Sequence, residues 1–255
     1  MPYWLQQPPR YWDLMGREVF AIVGMMRSGS NLMERSLDGL EGVMCHGELF
    51  NLQFIGFHNT HAASFAGYEK NQVRRRNENP EQFFRQVLGE TKRPIVGYRL
   101  FGEHLRAGIE NTIYHPLVKK IILKRNQLDS FVSLCIARQT NQWIVLHAGT
   151  QKRVEKIKVD PTEFKDFVIR NTAFYNEVYE VLSRSRQRFM VVDYAEIKNP
   201  NTVNKIAEFI GSPSKVDSVQ EKIYRQNEGD TRSKVENYQE LISVMQAGKF
   251  ARYFT

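Results

Sequence analysis

Cysteine is nearly missing from this chain: Cys45 and Cys135 are the only two in 255 residues. A disulfide framework needs several pairs and a structural zinc site needs clustered ligands, so neither underlies the fold, and both thiols are expected to be buried and free. None of the histidines (His46, His58, His61, His104, His115, His147) is spaced with carboxylates or cysteines as a helix-borne metal site requires, so no metal is expected. Long apolar runs are missing as well. Pro2, Pro8 and Pro9 break up the polar segment from Met1 to Phe20, which argues against a signal peptide, and nothing approaches the roughly twenty apolar residues of a membrane span. A cytoplasmic protein with no membrane partner is the expectation. Internal repeats and low-complexity tracts are absent too, so no solenoid is expected.

What is present is enough to build one large core. Hydrophobic residues make up 42% of the chain, and a single domain spanning residues 1–255 is expected. The net charge is +8, which favours an anionic partner without selecting one. A nucleic-acid binder is one candidate, and the run Arg74, Arg75, Arg76 would suit it. No helix-turn-helix or RNA-binding signature accompanies the run, however, and such a run is most simply a solvated face, so no nucleic-acid partner is expected.

Four β-rich apolar runs read as strands: Val19 to Gly24, Pro94 to Leu100, Val118 to Leu123 and Phe189 to Asp193. Most lack polar alternation and helical segments lie between them, which predicts an α/β fold whose central parallel sheet is covered on both faces. Apolar residues from Phe164 to Leu182 recur near a 3.6 period and predict a long helix from Pro161 to Ser183, with another from Asn201 to Ile210 ending at Gly211. Periodicity fails from Asn51 to Asn79, a region expected to be a long loop with a short helix on the acceptor side of any site. A second polar, Gly-containing loop is expected near residues 226–238.

The first strand runs into Gly24, Met25, Met26, Arg27, Ser28, Gly29, Ser30 and Asn31, and then into an apolar-periodic helix. Strand, Gly-containing loop and helix in that order aim backbone N–H groups and a helix N-terminus at an anion, although an ordinary strand–helix turn has the same appearance. A triphosphate-binding P-loop would carry Lys and then Ser or Thr where Ser30 and Asn31 stand. A P-loop kinase is therefore the weaker alternative, since it lacks the lysine and the magnesium ligand. Arg27 can supply the missing positive charge from inside the loop.

A second candidate phosphate site follows the third strand, where Asn126 is a helix N-cap with Asp129 at the third helical position. Arg125 then lies at the strand's end and Ser133 about two turns along the helix, where both can converge on one phosphate at the carboxyl edge of the sheet, although a lone arginine at a strand end is more often a solvated or salt-bridged surface residue.

The stretch Met26 to Met33 resembles the 5′-phosphosulfate loop of bacterial sulfotransferases of the nodulation-factor and sulfolipid type. The second motif of that family has Arg, Asn-Pro, Asp and a Ser eight positions after the Arg; Arg125 and Ser133 match it, while Gln127 replaces the proline. Ala137 to Trp143, Val192 to Tyr194, Phe209 to Gly211 and Val235 to Tyr238 look like further stretches of the same family. The resemblance implies a P-loop-like three-layer α/β/α fold and a metal-independent enzyme. Its activity would be transfer of a sulfonyl group from 3′-phosphoadenosine 5′-phosphosulfate (PAPS), leaving 3′-phosphoadenosine 5′-phosphate (PAP). The acceptor would be a hydroxyl or amine of a small polar molecule, a carbohydrate or natural-product metabolite. It implies that Arg27, Ser28, Gly29, Ser30 and Asn31 hold the phosphosulfate, that Arg125 and Ser133 bind the 3′-phosphate, that Tyr194 lies near the adenine, and that Arg232 closes over the 3′-phosphate.

Three residues compete for the base that such a transfer needs. Glu48, in the segment Cys45 to Asn51, matches the carboxylate proposed as base in the resembled family, though a cap or ion pair would use it equally well. His46 and His104 are rivals, because an imidazole suits proton transfer near neutral pH and His104 sits roughly where eukaryotic cytosolic sulfotransferases place a catalytic histidine. Arg99, at the end of the second predicted strand, either reaches the sulfonate as a cation or forms a structural ion pair.

Overall fold

A computed structural model describes residues 11–105, 109, 111–145, 149–152, 154–219, 229–245 and 250–254. Strand β1 (Glu18–Gly24) leads through the Gly-containing loop into α1 (Ser30–Asp38) and the short β2 (Val43–Cys45). Next come a small hairpin of β3 (Ser64–Phe65) and β4 (Tyr68–Glu69), then α2 (Val73–Glu78), α3 (Pro80–Glu90) and β5 (Ile95–Phe101). A short helical turn at Gly102–Leu105 precedes α4 (Asn111–Tyr114), β6 (Val118–Lys124), α5 (Gln127–Thr140) and the long α6 (Pro161–Arg184). After β7 (Phe189–Asp193) follow α7 (Pro200–Ile210), α8 (Thr231–Lys234) and α9 (Tyr238–Met245).

The strands β2, β5, β1, β6 and β7 lie side by side in that order in one parallel five-stranded sheet. Alternate residues of β1 feed two cores. Val19, Ala21 and Val23 pack with α3 and α6 on one face, while Phe20 and Ile22 pack with α1 and α7 on the other. Both faces are thus covered, which is why the strands read as continuous apolar runs. A third cluster joins α5, α6 and α9. Gly97 is needed in β5 because a Cβ there would lie 2.1 Å from the ring of Phe20.

The four expected strands are present, displaced by no more than one residue at either end, whereas β2 went unread because three residues are too few to show a period. Two other expectations need correction. Cys45 is buried, but Cys135 is only partly so. The arginine run is not a uniform solvated face: Arg74 pairs with Glu78 at the surface, whereas Arg76 is fully buried and donates from Nη1 to the Leu49 carbonyl at 2.8 Å. Consecutive residues on a helix point about 100° apart, so a three-residue run on α2 cannot face one way.

Lys120 is the least expected buried residue. It lies wholly inside β6 and donates to the His115 carbonyl and the Gln187 amide oxygen, and burial lowers its pKa from 10.5 to about 7. Between those two values the unfolded chain holds a proton that the folded chain has released, so stability climbs as pH rises through that window and bears the full charging cost below it. Lys120→Met is expected to exceed the native chain in stability by on the order of 1–3 kcal/mol near pH 6. That margin should vanish near pH 9.5, where the two acceptors have lost a neutral donor; urea melts at both pH values check it.

Candidate active site

The carboxyl ends of the sheet strands open into one cleft of about 1020 Å³. Its floor is the loop after β1, where Arg27 (φ 66°) and Gly29 (φ 97°) both adopt left-handed backbone. Glycine is required at 29 twice over: a side chain is strained at that φ, and a Cβ would lie 2.3 Å from the Tyr194 ring. Gly29 caps α1, so the amides of Ser30 and Asn31 at the helix start have no acceptor within it. No acidic residue occupies that first turn, which leaves the N-terminus electrostatically open to an anion.

Arg27 leaves the loop sideways. Its Nε donates to Ser133 Oγ at 3.0 Å and its Nη1 to the Trp143 carbonyl at 2.7 Å, while Arg125 donates from Nη1 to the Arg27 carbonyl at 3.0 Å. Arg125 also stacks over Tyr194, 4.1 Å from the ring centroid. Burial, and secondarily the neighbouring Arg125, lower the Arg27 pKa to about 10. Two neighbouring, partly buried arginines, each disfavouring the other's charge, form a place that a phosphate would stabilise, so the residues fit a nucleotide carrying more than one phosphate. The loop and the Arg125–Ser133 motif, apart in sequence, meet here.

Asn126 caps α5 as the sequence predicts, accepting from the amides of Leu128 (2.8 Å) and Asp129 (3.3 Å). The Asp129 carboxylate, however, accepts from the Thr231 hydroxyl at 2.5 Å and docks α8 against α5. With Asp230 capping α8, Thr231 and Lys234 share the cleft-facing side of that single turn. Arg232 falls on its outer side, exposed, 3.9 Å from Asp230 and outside the cleft, so the structure does not bring Arg232 to the Arg125–Ser133 pair. Ser28 is likewise not a cleft residue. It is buried beneath the loop, with its Oγ against Gly24 and its amide bonded to the Met25 carbonyl. Residues 226–228 and 146–148 lie outside the described residues.

Against the end of the loop and the first turns of α1 stands a buried polar cluster. Arg99, 7% exposed, contacts Glu34 (Nε to Oε2, 2.6 Å) and Glu48 (Nη1 to Oε1, 3.2 Å), and it donates from Nη1 to Ser30 Oγ at 3.3 Å. Asn51 donates to Glu48 Oε2 at 2.6 Å, and His104 Nε2 lies 3.5 Å from the same oxygen. Burial pushes the Glu34 carboxyl above its ordinary value although Arg99 opposes it. For Glu48 burial pushes in the same direction, but the His104 imidazole, the Arg99 charge and the Asn51 amide together outweigh it and hold Glu48 below the usual carboxylate range. Glu48 lines the cleft and is a carboxylate at neutral pH, so it can accept a proton there.

His46 is placed elsewhere. It is fully buried, its Nδ1 accepts from the His58 amide and its Nε2 meets Thr91, and burial lowers its pKa to about 3. Its surroundings are those of a structural histidine. Glu34 and Asn51 escaped the sequence reading. A glutamate on the otherwise apolar inner face of α1, among Met33 and Leu37, was the available signal for the first, and an amide three residues after Glu48 for the second. The cleft is further walled by Leu52, Phe54, Phe57, Trp143 and Ile144, with Asn59 and Lys70 among them.

The family model described as "Sulfotransferase domain" matches residues 18–254. Nodulation protein H of Rhizobium meliloti (strain 1021) is 24% identical over 242 residues, covering 92% of this chain and 94% of that protein. Nodulation protein H of Rhizobium tropici is 23% identical over 254 residues, covering 95% of each. Among solved structures, the sulfotransferase from Alicyclobacillus acidocaldarius superposes with a TM-score of 0.52 at 15% identity, covering 92% of this chain and 98% of that one. That likeness is one of fold.

Proposed function

This chain belongs to the sulfotransferase domain family, and on that premise we propose that it moves a sulfonyl group from PAPS to a hydroxyl or amine of a small polar acceptor without a metal, acting in the cytoplasm. The observation that carries this reading is the convergence of the loop, the Arg125–Ser133 motif and Glu48 on one cleft. PAPS, when bound, supplies the activated sulfonyl group, and PAP is its leaving group. The amides of Ser30 and Asn31 and the charge of the α1 N-terminus would hold the phosphosulfate. Arg125 and Ser133 would hold the 3′-phosphate, and Arg27, lying between the two motifs, would serve both. Glu48 takes the proton from the acceptor.

Arg99 is already engaged by two carboxylates, so its role is to hold the base and the loop together through Ser30 rather than to act as an unshared cation. Tyr194 packs on Gly29 and Arg125 and shapes both phosphate elements. The aromatic and aliphatic wall suits the apolar faces of a sugar or ring system, with Asn59 and Lys70 available to its polar edges.

Incubation with PAPS, EDTA and a metabolite extract tests the reading. Mass spectrometry is expected to find acceptors heavier by one SO3, formed without magnesium. A parallel incubation with ATP and magnesium that alone yielded modified products, heavier by a phosphoryl group, would replace it with the kinase reading.

A further inference from the structure

We propose that His104 is a positioning residue that presents its Nε2–H to Oε2 of Glu48 and, together with Asn51, leaves Oε1 as the oxygen that receives the acceptor's proton. The inference rests on the reading of Glu48 as base. His104 follows β5 in the turn Gly102–Leu105, has no exposed surface and stacks on Phe101 with ring centroids 5.1 Å apart. Its Nδ1 accepts the Phe101 amide at 3.2 Å. A nitrogen that accepts an N–H carries no proton of its own, so in the neutral ring the hydrogen resides on Nε2. That atom is buried and makes no conventional hydrogen bond among the described residues; it faces Glu48 Oε2, 3.5 Å away. A donor held dry at that distance gains most by closing on the carboxylate.

The accounting at Glu48 then singles out one oxygen. A carboxylate oxygen accepts about two hydrogen bonds. Oε2 faces both Asn51 Nδ2 and His104 Nε2, whereas Oε1 is contacted by Arg99 Nη1, which leaves it a second accepting direction in a side chain that lines the cleft. In the transfer, the acceptor's O–H or N–H bond breaks and its proton goes to Oε1. The released electron pair forms the new bond to sulfur as the sulfur–oxygen bond to the departing phosphate breaks. His104 keeps its proton throughout, since its second nitrogen is occupied by the Phe101 amide. The charged and titratable groups around the carboxylate are the Arg99 guanidinium from β5, the His104 ring from the following turn and, across Arg99, Glu34 of α1, itself flanked by Arg35 and Asp38.

The test reads the Glu48 carboxyl directly by 13C NMR titration of the free protein, with Glu48→Gln identifying the resonance, alongside PAP affinity and pH–rate profiles. His104→Phe is expected to raise the Glu48 titration midpoint, move the acid limb of kcat/KM to higher pH and lower kcat about tenfold, the scale of one oriented hydrogen bond, with PAP affinity unchanged. His104→Gln, which restores an N–H near Nε2 but cannot act as a base, should recover most of the turnover. Asn51→Ala should shift the midpoint in the same direction, which keeps the inference testable if the phenylalanine variant does not fold. A Glu48 midpoint unmoved by His104→Phe or Asn51→Ala would overturn it, as would a His104→Gln enzyme as inactive as Glu48→Gln. Undiminished turnover in Glu48→Gln would instead remove the base assignment, while the titrations would still report whether His104 and Glu48 are coupled.

Discussion

Arg125→Ala is expected to weaken PAP binding about 100-fold or more, the largest binding loss of any single replacement in the cleft. A partly buried guanidinium facing a phosphate makes charge-assisted hydrogen bonds that water screens less than at the open surface, which is why its loss outweighs that of a surface cation. Arg125 has a second duty. Its Nη1 holds the Arg27 carbonyl and its plane lies on Tyr194, which in turn bears on Gly29. Removing it therefore also loosens the loop that carries Arg27 in a left-handed conformation. Ser133→Ala deletes one neutral hydroxyl and frees Arg27 Nε, so its loss should be smaller, about tenfold. Arg125→Lys keeps the charge without the fork and should fall between the two. Calorimetric titration with PAP decides: affinity unchanged in both Arg125→Ala and Ser133→Ala would remove the 3′-phosphate from this place.

Glu48→Gln should show the opposite signature, with PAP bound as in the native protein and turnover reduced about 100- to 10,000-fold. The amide is nearly the same size as the carboxylate, so the contacts from Asn51 and Arg99 that fix the side chain need not collapse. What disappears is the capacity to take a proton. The native enzyme should lose activity in acid, because the unfavourable burial of Glu48 is overcome only while the carboxylate is ionised and faces His104, Arg99 and Asn51. That inflection belongs below the usual carboxylate range, and it should be missing from the residual activity of Glu48→Gln. A variant retaining more than about a tenth of native kcat would move the base elsewhere.

Much of this site was legible one segment at a time. The order of strand, Gly29-containing loop and α1 is written in the sequence because φ above zero, helix capping and apolar periodicity are local properties. Asn126 was readable as a cap for the same reason, and α5 begins there although Gln127 stands where the resembled family has proline. Arg232 was not readable. Whether a residue of a one-turn helix faces the cleft or the solvent depends on where Asp230 starts the turn and on how Thr231 latches to Asp129 on another helix. Arg76 in a basic run and Lys120 in a strand were equally opaque, since composition cannot say which charged side chain is enclosed by residues from elsewhere.

The sequence by itself determined the alternation of strands and helices, the parallel sheet buried on both faces, and the two segments proposed to bind phosphate. Only the tertiary structure decided that Arg27 reaches Ser133, 106 positions away, that Arg99 is shared between Glu34 and Glu48, and that His104 faces Oε2 instead of the cleft. The physical reason is one of range. Backbone preferences and apolar periods act over a few residues, whereas the partner of a charged side chain is chosen by which strand ends the sheet gathers at one edge, and parallel crossovers bring together residues far apart in the chain.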